Sequence, residues 1–335
     1  MLSIAGTRIR SAPSVDASSQ GQTGRRPSGS RPRRGTSLKG YVFIAPFLLL
    51  FIFFSAFPDV YTLILSFQHY AGYGSATAAG LQNYDALLHY PVFWTELENT
   101  LEYWVLHAVI LIPLAFVLAL VVRSRSIRGK SAWRAIIFLP QVMSIVAVTL
   151  AFQVMFASPY GAINHLFGLH VAWLTDFAIT KWVVVALLVW QGLGFWFVVF
   201  LSGLTSIDPA VEEAAMIDGA GVVRRAISIV APMMKNVFLF AVVIDAITSM
   251  ALYTQPTVLA ATQGVLDPSV APLSSLVVVN LQSSSFGQSA AAGWLLFLLT
   301  IVVSVAVFGS FRLFGRSGAA RWRSAIGGRR AGVAR

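Results

Sequence analysis

The chain has 335 residues, of which 57% are hydrophobic and only 11% are charged. Because soluble domains carry about a quarter charged residues, this composition excludes an ordinary soluble enzyme and is typical of a protein with several membrane spans. The net charge is +11, and the absence of cysteine excludes disulfides and thiolate-bound metal sites.

The first 40 residues form a basic segment rich in Ser, Gly, Pro and Arg. Such a composition buries little apolar surface and predicts a disordered tail over 1–40. Ala76-Thr77-Ala78 has the look of a signal-peptide cleavage site. The apolar run that begins near residue 41 is nevertheless too long for a signal peptide, so we expect an uncleaved first span.

Six apolar runs are long enough to cross a bilayer core as helices, which takes about 20 residues each. They cover 41–66, 99–122, 135–157, 182–204, 236–257 and 289–312. The sequence therefore predicts an all-α membrane domain over 41–315 with six transmembrane helices.

The basic residues predict the orientation of these spans. Of the 24 Lys and Arg residues, 23 fall in the two terminal segments and in the connections that follow spans two and four, and only Lys181 falls on the other side. Because basic connections stay in the cytoplasm, both termini are expected there, including a basic tail over 316–335. Nucleic-acid binding would also suit the charge, but the charge alternates with the spans, so the expected partner is the lipid bilayer and no nucleic acid.

The connection between spans four and five, 205–235, differs from the other loops. Asp208 followed by Pro209 is typical of a helix start, because the carboxylate can cap the helix and proline fits its first position. Gly219 and Gly221 then interrupt the helix, and at least one is expected at positive φ. A second short helix is expected to end at Pro232.

This helix–turn–helix has two interpretations on physical grounds. It is either a docking element for a cytoplasmic partner or an amphipathic helix lying in the membrane interface under the bundle. The residue types alone do not separate them.

The spacing of this loop resembles the EAA loop of ABC importer permeases. The residues that carry the resemblance are Glu213, Ala214, Ala215, Gly219, Ile229 and Pro232. Ala231 stands where Leu is usual, and Asp218 directly before Gly219 is similar to the sugar-importer branch.

Weaker similarities to that branch extend over about 40–315. They include Ser66-Phe67, the run from Gly80 to Tyr84, and Phe286-Gly287. One departure stands at 260–264, where the branch has a Thr-Gly-Gly-Gly-Pro turn and this chain has Ala-Ala-Thr-Gln-Gly. We expect this outer loop to contact its binding protein or substrate differently.

The resemblance implies an assembly of two permeases, a cytoplasmic ABC ATPase dimer and an extracytoplasmic solute-binding protein in a bacterial-type inner membrane. It implies that the loop residues couple to the ATPase, namely Glu213, Ala214, Ala215, Asp218, Gly219, Ile229 and Pro232. The chain contains no G-x-x-x-x-G-K-[ST] motif, so we expect a transport subunit without catalytic residues or a cofactor. ATP and Mg²⁺ would be bound by the partner ATPase.

Asp245, near the middle of span five, is the clearest ionisable group within a span. A carboxylate at mid-bilayer costs on the order of 3 kcal/mol or more, which favours a functional role. The expected substrate pathway comprises Asp245, Ser249, Tyr253, Gln255 and Gln191, whose carboxylate, hydroxyl, amide and aromatic groups suit a sugar. The alternative is that a neighbouring hydroxyl satisfies Asp245, which then only locks helix packing.

These observations predict a permease for a sugar, an oligosaccharide or glycerol phosphate that works by alternating access. Another solute, such as a polyamine or an anion, is the nearest alternative, although an anion would favour basic residues within a span. Three other classes fit less well. The sequence shows no internal repeats typical of a secondary transporter and no regularly spaced arginines in a span as in a voltage-gated channel. It also shows no catalytic set within the spans, which an intramembrane enzyme would need. The five histidines do not cluster, and no metal site is expected.

Overall fold

The computed structural model describes residues 38–124, 127–260 and 266–332, with two compact units, 1–53 and 54–335. Most of the predicted N-terminal tail lies outside the described residues. So do residues 261–265, which hold most of the expected departure from the Thr-Gly-Gly-Gly-Pro turn.

The N-terminal unit contains helix α1 (Leu38–Phe51), and a π-helical turn (Ile52–Ala56) follows it. The larger unit begins with α2 (Phe57–Ser66), two short strands and two helices. These are β1 (Gln68–His69), β2 (Thr77–Ala78), α3 (Gln82–Leu88) and α4 (Pro91–Arg123). The strands pair antiparallel, with Gln68 opposite Ala78, and form a small exception to the all-helical prediction.

The rest of the larger unit is helical. In chain order it contains α5 (Lys130–Val142), α6 (Ile145–Met155), α7 (Ala162–Phe167), α8 (Phe177–Thr205), α9 (Pro209–Ile217), α10 (Val222–Arg225), a π-helical turn (Ala226–Val230), α11 (Ala231–Met233), α12 (Lys235–Met250), α13 (Thr254–Ala260), α14 (Ser274–Gln282) and α15 (Phe286–Gly332).

Four of the described helices are long and apolar enough to cross a membrane: Val42–Ser66, Pro91–Arg123, Phe177–Thr205 and Phe286–Phe311. Two further spans arise if each of two bent pairs counts as one. These pairs are Lys130–Val142 with Ile145–Met155, bent by 93°, and Val222–Met233 with Lys235–Met250, bent by 76°. The helical membrane class is thus confirmed, with four to six spans.

The prediction of a continuous third span over 135–157 was wrong. The helix breaks at Met143, whose backbone is extended, shortly after Pro140. The fifth predicted span, 236–257, is also interrupted, because α12 ends at Met250 and α13 begins only at Thr254. Interrupted backbone is tolerated in a membrane where it lines a cavity, and both breaks border the cavity described below.

Both π-helical turns precede a proline. Pro58 follows the turn at Ile52–Ala56, and Pro232 follows the turn at Ala226–Val230. Proline has no N–H and its ring clashes with the carbonyl four residues earlier, and a wider turn relieves that clash. The expectation that the helix ends at Pro232 holds to within one residue: the helical backbone continues to Met233, turns at Met234, and α12 begins at Lys235.

The core of the larger unit lies between α4 and α8. Tyr103 and Leu111 of α4 and Phe197 and Phe200 of α8 are almost fully buried in one cluster. Helix α5 reaches α8 at Gly194, where a Cβ atom would come within 2.8 Å of the Ile137 carbonyl oxygen. Gly194 thus permits close contact between α5 and α8, as small residues do between membrane helices.

Side chains of α4 also hold the segment that precedes α14. Asn99 donates to the carbonyl oxygens of Pro268 and Ala271 at 2.8 and 2.9 Å. The Tyr103 hydroxyl donates to Val270, and the Leu273 N–H donates to the Thr100 hydroxyl. Because the same helix also lines the cavity below, this segment is fixed to the cavity wall.

We predict that Gly194→Ala destabilises the protein by about 1–3 kcal/mol, because the added methyl group would meet the backbone of α5. Gly309→Ala is the matched control, since that helical position has open space within 4 Å. Thermal unfolding of the two purified variants in detergent would compare them. Equal melting temperatures would contradict the close packing at Gly194.

Candidate functional site

The loop between α8 and α12 begins with a capped helix. The Asp208 carboxylate accepts a 2.9 Å hydrogen bond from the Ala210 N–H, and Pro209 occupies the first position of α9. At the other end Gly219 has φ +77°, as the sequence predicted for one of the two glycines. Its N–H donates to Met216 and the Ala220 N–H donates to Ala215, which is a Schellman cap that fixes the turn.

Much of this loop is exposed and apolar. We call the exposed side chains of Met216, Ile217, Val222, Val223 and Ile227 the loop surface. An apolar group of this kind beside charged residues marks a surface for a partner or for the membrane interface. Both interpretations of the loop thus fit its exposure.

The predicted coupling residues divide by exposure. Ala215 is buried and Ile229 is half-buried, so they hold the loop in place. The exposed ones are Glu213, Ala214, Asp218, Gly219 and Pro232. The structure thus leaves most of the predicted coupling residues accessible from outside the chain.

An ion pair ties the loop to the bundle. Nη1 of Arg123, the last residue of α4, lies 2.7 Å from Oε1 of Glu212 in the first turn of α9. Each side chain is about a quarter exposed, so the pair is only partly screened by solvent. Sequence reasoning assigned Arg123 only to orientation, because nothing in the local pattern relates residues 89 positions apart.

A cavity of about 470 Å³, the polar cavity, lies between α4, α8, α12 and the two helix breaks. All five residues of the predicted pathway line it: Gln191, Asp245, Ser249, Tyr253 and Gln255. Further polar lining comes from His107, Gln141, Thr248 and Thr254. Because α12 ends at Met250, Tyr253 reaches the cavity from the break and not from the same helical face as Asp245.

Asp245 faces a histidine at the cavity wall. Its Oδ1 atom lies 3.0 Å from Nδ1 of His107, and the carboxylate is fully buried. The alternative of a neighbouring hydroxyl as the partner of the carboxylate was wrong, because the group that faces it is an imidazole. The two residues are 138 positions apart on α4 and α12, so only the packing of the helices brings them together.

The remaining intramembrane polar groups are arranged around this pair. Gln255 Nε2 lies 3.4 Å from Gln191 Oε1, which joins α13 to α8. Trp190, the neighbour of Gln191, packs against Phe152 with ring centroids 5.6 Å apart and does not line the polar cavity.

Family-like residues that lie far apart in the sequence meet at one end of the larger unit. The Ser66 hydroxyl lies 2.7 Å from the Tyr84 hydroxyl, and Asn83 donates to the carbonyl oxygens of Ser66 and Gln68. A Cβ atom on Gly287 would come within 2.9 Å of the Asn83 amide nitrogen. These residues therefore act in packing, at a junction of α2, α3 and α15.

Within the described parts of the chain, no three His, Asp or Glu side chains lie close enough to hold a metal ion. His107 and Asp245 bring only two possible ligands together, 3.0 Å apart. They form a polar contact in the cavity wall.

The family model described as "Binding-protein-dependent transport system inner membrane component" matches residues 111–317. The lactose transport system permease protein LacF of Rhizobium radiobacter is 31% identical over 292 residues, which cover 84% of this chain and 96% of that protein. The arabinooligosaccharides transport system permease protein AraP of Halalkalibacterium halodurans is 30% identical over 272 residues, which cover 79% and 85%.

Solved structures share the fold. A subunit of a bacterial ABC transporter involved in the import of the acidic polysaccharide alginate superimposes with a TM-score of 0.72 at 20% identity, over 83% of this chain and 96% of that chain. An alginate transporter in complex with an alginate pentasaccharide-bound periplasmic protein gives 0.70 at 21% identity, over 81% and 93%.

We predict that Arg123→Glu loosens α9, because it places two acidic side chains where an ion pair now stands. Hydrogen exchange of the α9 amides should rise about fivefold, which corresponds to about 1 kcal/mol. The exchanged pair Arg123→Glu/Glu212→Arg should restore most of the protection. Arg128→Glu, the same charge change in the same connection, serves as the control, and equal exchange in both single variants would rule out the tie.

Proposed function

The chain belongs to the family of binding-protein-dependent transport system inner membrane components, and from this premise we propose how it works. It is the permease subunit of an ATP-driven ABC importer that carries a sugar or an oligosaccharide. Its partners are a second permease subunit, a cytoplasmic ABC ATPase dimer and an extracytoplasmic solute-binding protein. Both termini and the 205–235 loop lie in the cytoplasm of a bacterial-type inner membrane.

The observation that carries this proposal is that one helix joins the loop to the polar cavity. Helix α4 contributes His107 to the cavity wall and Arg123 to the ion pair with α9. These two residues are about 24 Å apart along a helix with a rise of 1.5 Å per residue. A displacement of α9 would therefore move α4 and, with it, the wall of the polar cavity.

Helix α9 of the loop is fixed at both ends and can move as a rigid unit. Asp208 caps one end of α9, and the Schellman turn at Gly219 closes the other. We propose that the loop surface and the exposed coupling residues Glu213 and Ala214 dock on the ATPase. Closure of the ATPase dimer on ATP and Mg²⁺ would then rock the permease pair between inward- and outward-facing states.

The helix breaks supply the places where such a motion can occur. Met143, Met234 and the stretch 251–253 interrupt α-helical hydrogen bonding, and the first and third border the polar cavity. A few residues at the ends of helices, which absorb large changes of φ and ψ, are the usual hinges of such motions. Alternating access is thus compatible with rigid helices on either side of each break.

The sugar substrate is supported by the relatives and by the chemistry of the cavity. The curated relatives are named for transport of lactose and arabinooligosaccharides, and the structural neighbour imports alginate. Amide, hydroxyl and aromatic groups line the polar cavity, and these are the groups that bind sugar hydroxyls and sugar ring faces.

The carboxylate of Asp245 is the one observation that favours a polyamine instead, since an amine cation would pair with it. Its position next to His107 weakens that alternative, because one oxygen already faces the imidazole.

Reconstitution tests the proposal. The chain would be co-expressed with the permease, ATPase and binding protein specified by the adjacent coding regions and placed in proteoliposomes. Uptake of a radiolabelled sugar, chosen by a thermal-shift screen of the binding protein, should require ATP inside and the binding protein outside. Uptake by the chain alone, without ATPase, would refute the importer assignment.

We predict that Gly219→Pro lowers this uptake to background, although the protein still inserts. Proline holds φ near −65° and has no N–H, so it can adopt neither φ +77° nor the bond to Met216. Gly221→Pro is the control, because Gly221 already has φ −64°. Equal uptake by the two variants would remove the loop turn from the coupling mechanism.

A further inference from the structure

We propose that the His107–Asp245 pair makes the polar cavity selective for uncharged saccharides over anionic ones, with His107 as the residue that positions Asp245. This inference rests on the proposed function, because it names the substrate class that the same cavity admits. It goes further in assigning the choice to two side chains on different helices.

The polar cavity is lined by few side chains that can carry charge. Among the described residues that line it, Asp245 and His107 are the only ones whose side chains can carry charge near neutral pH, and none is a lysine or an arginine. The cavity therefore offers no cation to a carboxylate or phosphate group, apart from an imidazole that faces Asp245.

The imidazole of His107 lies directly against the carboxylate of Asp245. His107 Nδ1 lies 3.0 Å from Asp245 Oδ1, and the carboxylate is fully buried. Buried in this way, Asp245 acts on a solute through its charge and not by contact. An anion that entered would lose its water, would find the imidazole occupied and would face a carboxylate at short range, all of which oppose binding.

The nearest cation along α8 does not change this balance. Lys181 Nζ lies 2.6 Å from Glu102 Oε2 on α4, so its charge is already compensated. It is also ten residues before Gln191, about 15 Å along the helix. Lys181 and Glu102 thus form a compensated pair between α8 and α4.

An uncharged sugar meets no such penalty. Gln141, Gln191 and Gln255 offer both donors and acceptors, Ser249 adds a hydroxyl, and Trp196 adds an aromatic ring to the wall. Hydroxyl groups can exchange their water for these partners with little net cost. The cavity therefore discriminates by leaving an anion uncompensated, which is specificity by exclusion.

His107 holds the Asp245 carboxylate in the position from which it excludes anions. Among the described residues, the Asp245 carboxylate oxygens and both His107 ring nitrogens make no hydrogen bond, so the 3.0 Å approach of Nδ1 to Oδ1 is the polar contact that the pair has. Without the imidazole, the buried carboxylate of Asp245 would have no facing polar group, and it would turn away from its present position. We therefore regard His107 as a positioning residue whose loss should alter selectivity through Asp245.

The test is a binding measurement on the assembled permease–ATPase complex in lipid nanodiscs, without the external binding protein so that its own preference does not enter. The two probes are radiolabelled galactobiose and digalacturonate, in which both CH₂OH groups of the disaccharide are replaced by carboxylates. Equilibrium dialysis gives the ratio of their dissociation constants. The wild-type complex should prefer galactobiose by about 100-fold, which corresponds to about 2.7 kcal/mol.

Asp245→Asn should reduce this ratio to about tenfold or less, because it removes the charge and frees the imidazole. Asp59→Asn is the matched control: it makes the same change in charge on another span, outside the polar cavity. It should leave the ratio at the wild-type value.

Two His107 variants keep the proposal testable if Asp245→Asn does not assemble. His107→Asn retains a donor and should keep the wild-type ratio, whereas His107→Leu should reduce it. A merely structural role would lower both affinities together and leave the ratio unchanged.

The outcomes separate the inference from the proposed function. A wild-type ratio near one, an unchanged ratio in Asp245→Asn, or tighter binding of spermidine than of galactobiose would overturn the selectivity proposal while sugar uptake by the complex persists. Absence of both saccharide binding and ATP-dependent saccharide uptake would overturn the proposed function itself.

Discussion

A chain that crosses lipid must satisfy its backbone hydrogen bonds within itself, and this constraint organises the molecule. Continuous helices meet it directly, as in α4 and α8. Where a helix is interrupted, the freed N–H and C=O groups need polar surroundings, and the breaks at Met143 and at 251–253 both open onto the polar cavity. Two of the helix breaks therefore coincide with the place where polar side chains gather.

Helix α4 carries most of the organisation that follows from this constraint. Asn99, Thr100 and Tyr103 hold the segment before α14, His107 meets Asp245 at the cavity, and Arg123 ties down α9. One rigid element thereby connects three regions that are distant in the sequence. A motion that begins at the loop can therefore reach the cavity along a single helix, which Pro113 interrupts at one hydrogen bond.

The features predicted well from the sequence are those set by neighbouring residues. The cap at Asp208, the turn at Gly219 and the apolar spans follow from local geometry and transfer energies, and the structure has each of them. The residues expected to line the pathway also share one cavity, because polar groups in a span collect away from lipid.

The features that sequence reasoning missed depend on tertiary packing. Nothing near Asp245 identifies His107 as its partner, and the salt bridge between Arg123 and Glu212 joins positions that only the fold makes adjacent. The break at Met143 was missed because 135–157 is mostly apolar, and hydropathy reports depth in the bilayer but not continuity of the helix.

The π-helical turn at Ala226–Val230 changes the direction in which the side chains on its two sides point relative to one another. Such a turn holds one residue more than the α-helical turn it replaces, so side chains on either side are offset by about 100° from simple 3.6-residue periodicity. Val222 and Val223 therefore point in directions that a helical wheel drawn through Met233 would misassign. Removing one residue other than Ile227 from this turn would rotate Val222 and Val223 around the helix axis relative to Met233, while the residues of the loop surface stay the same.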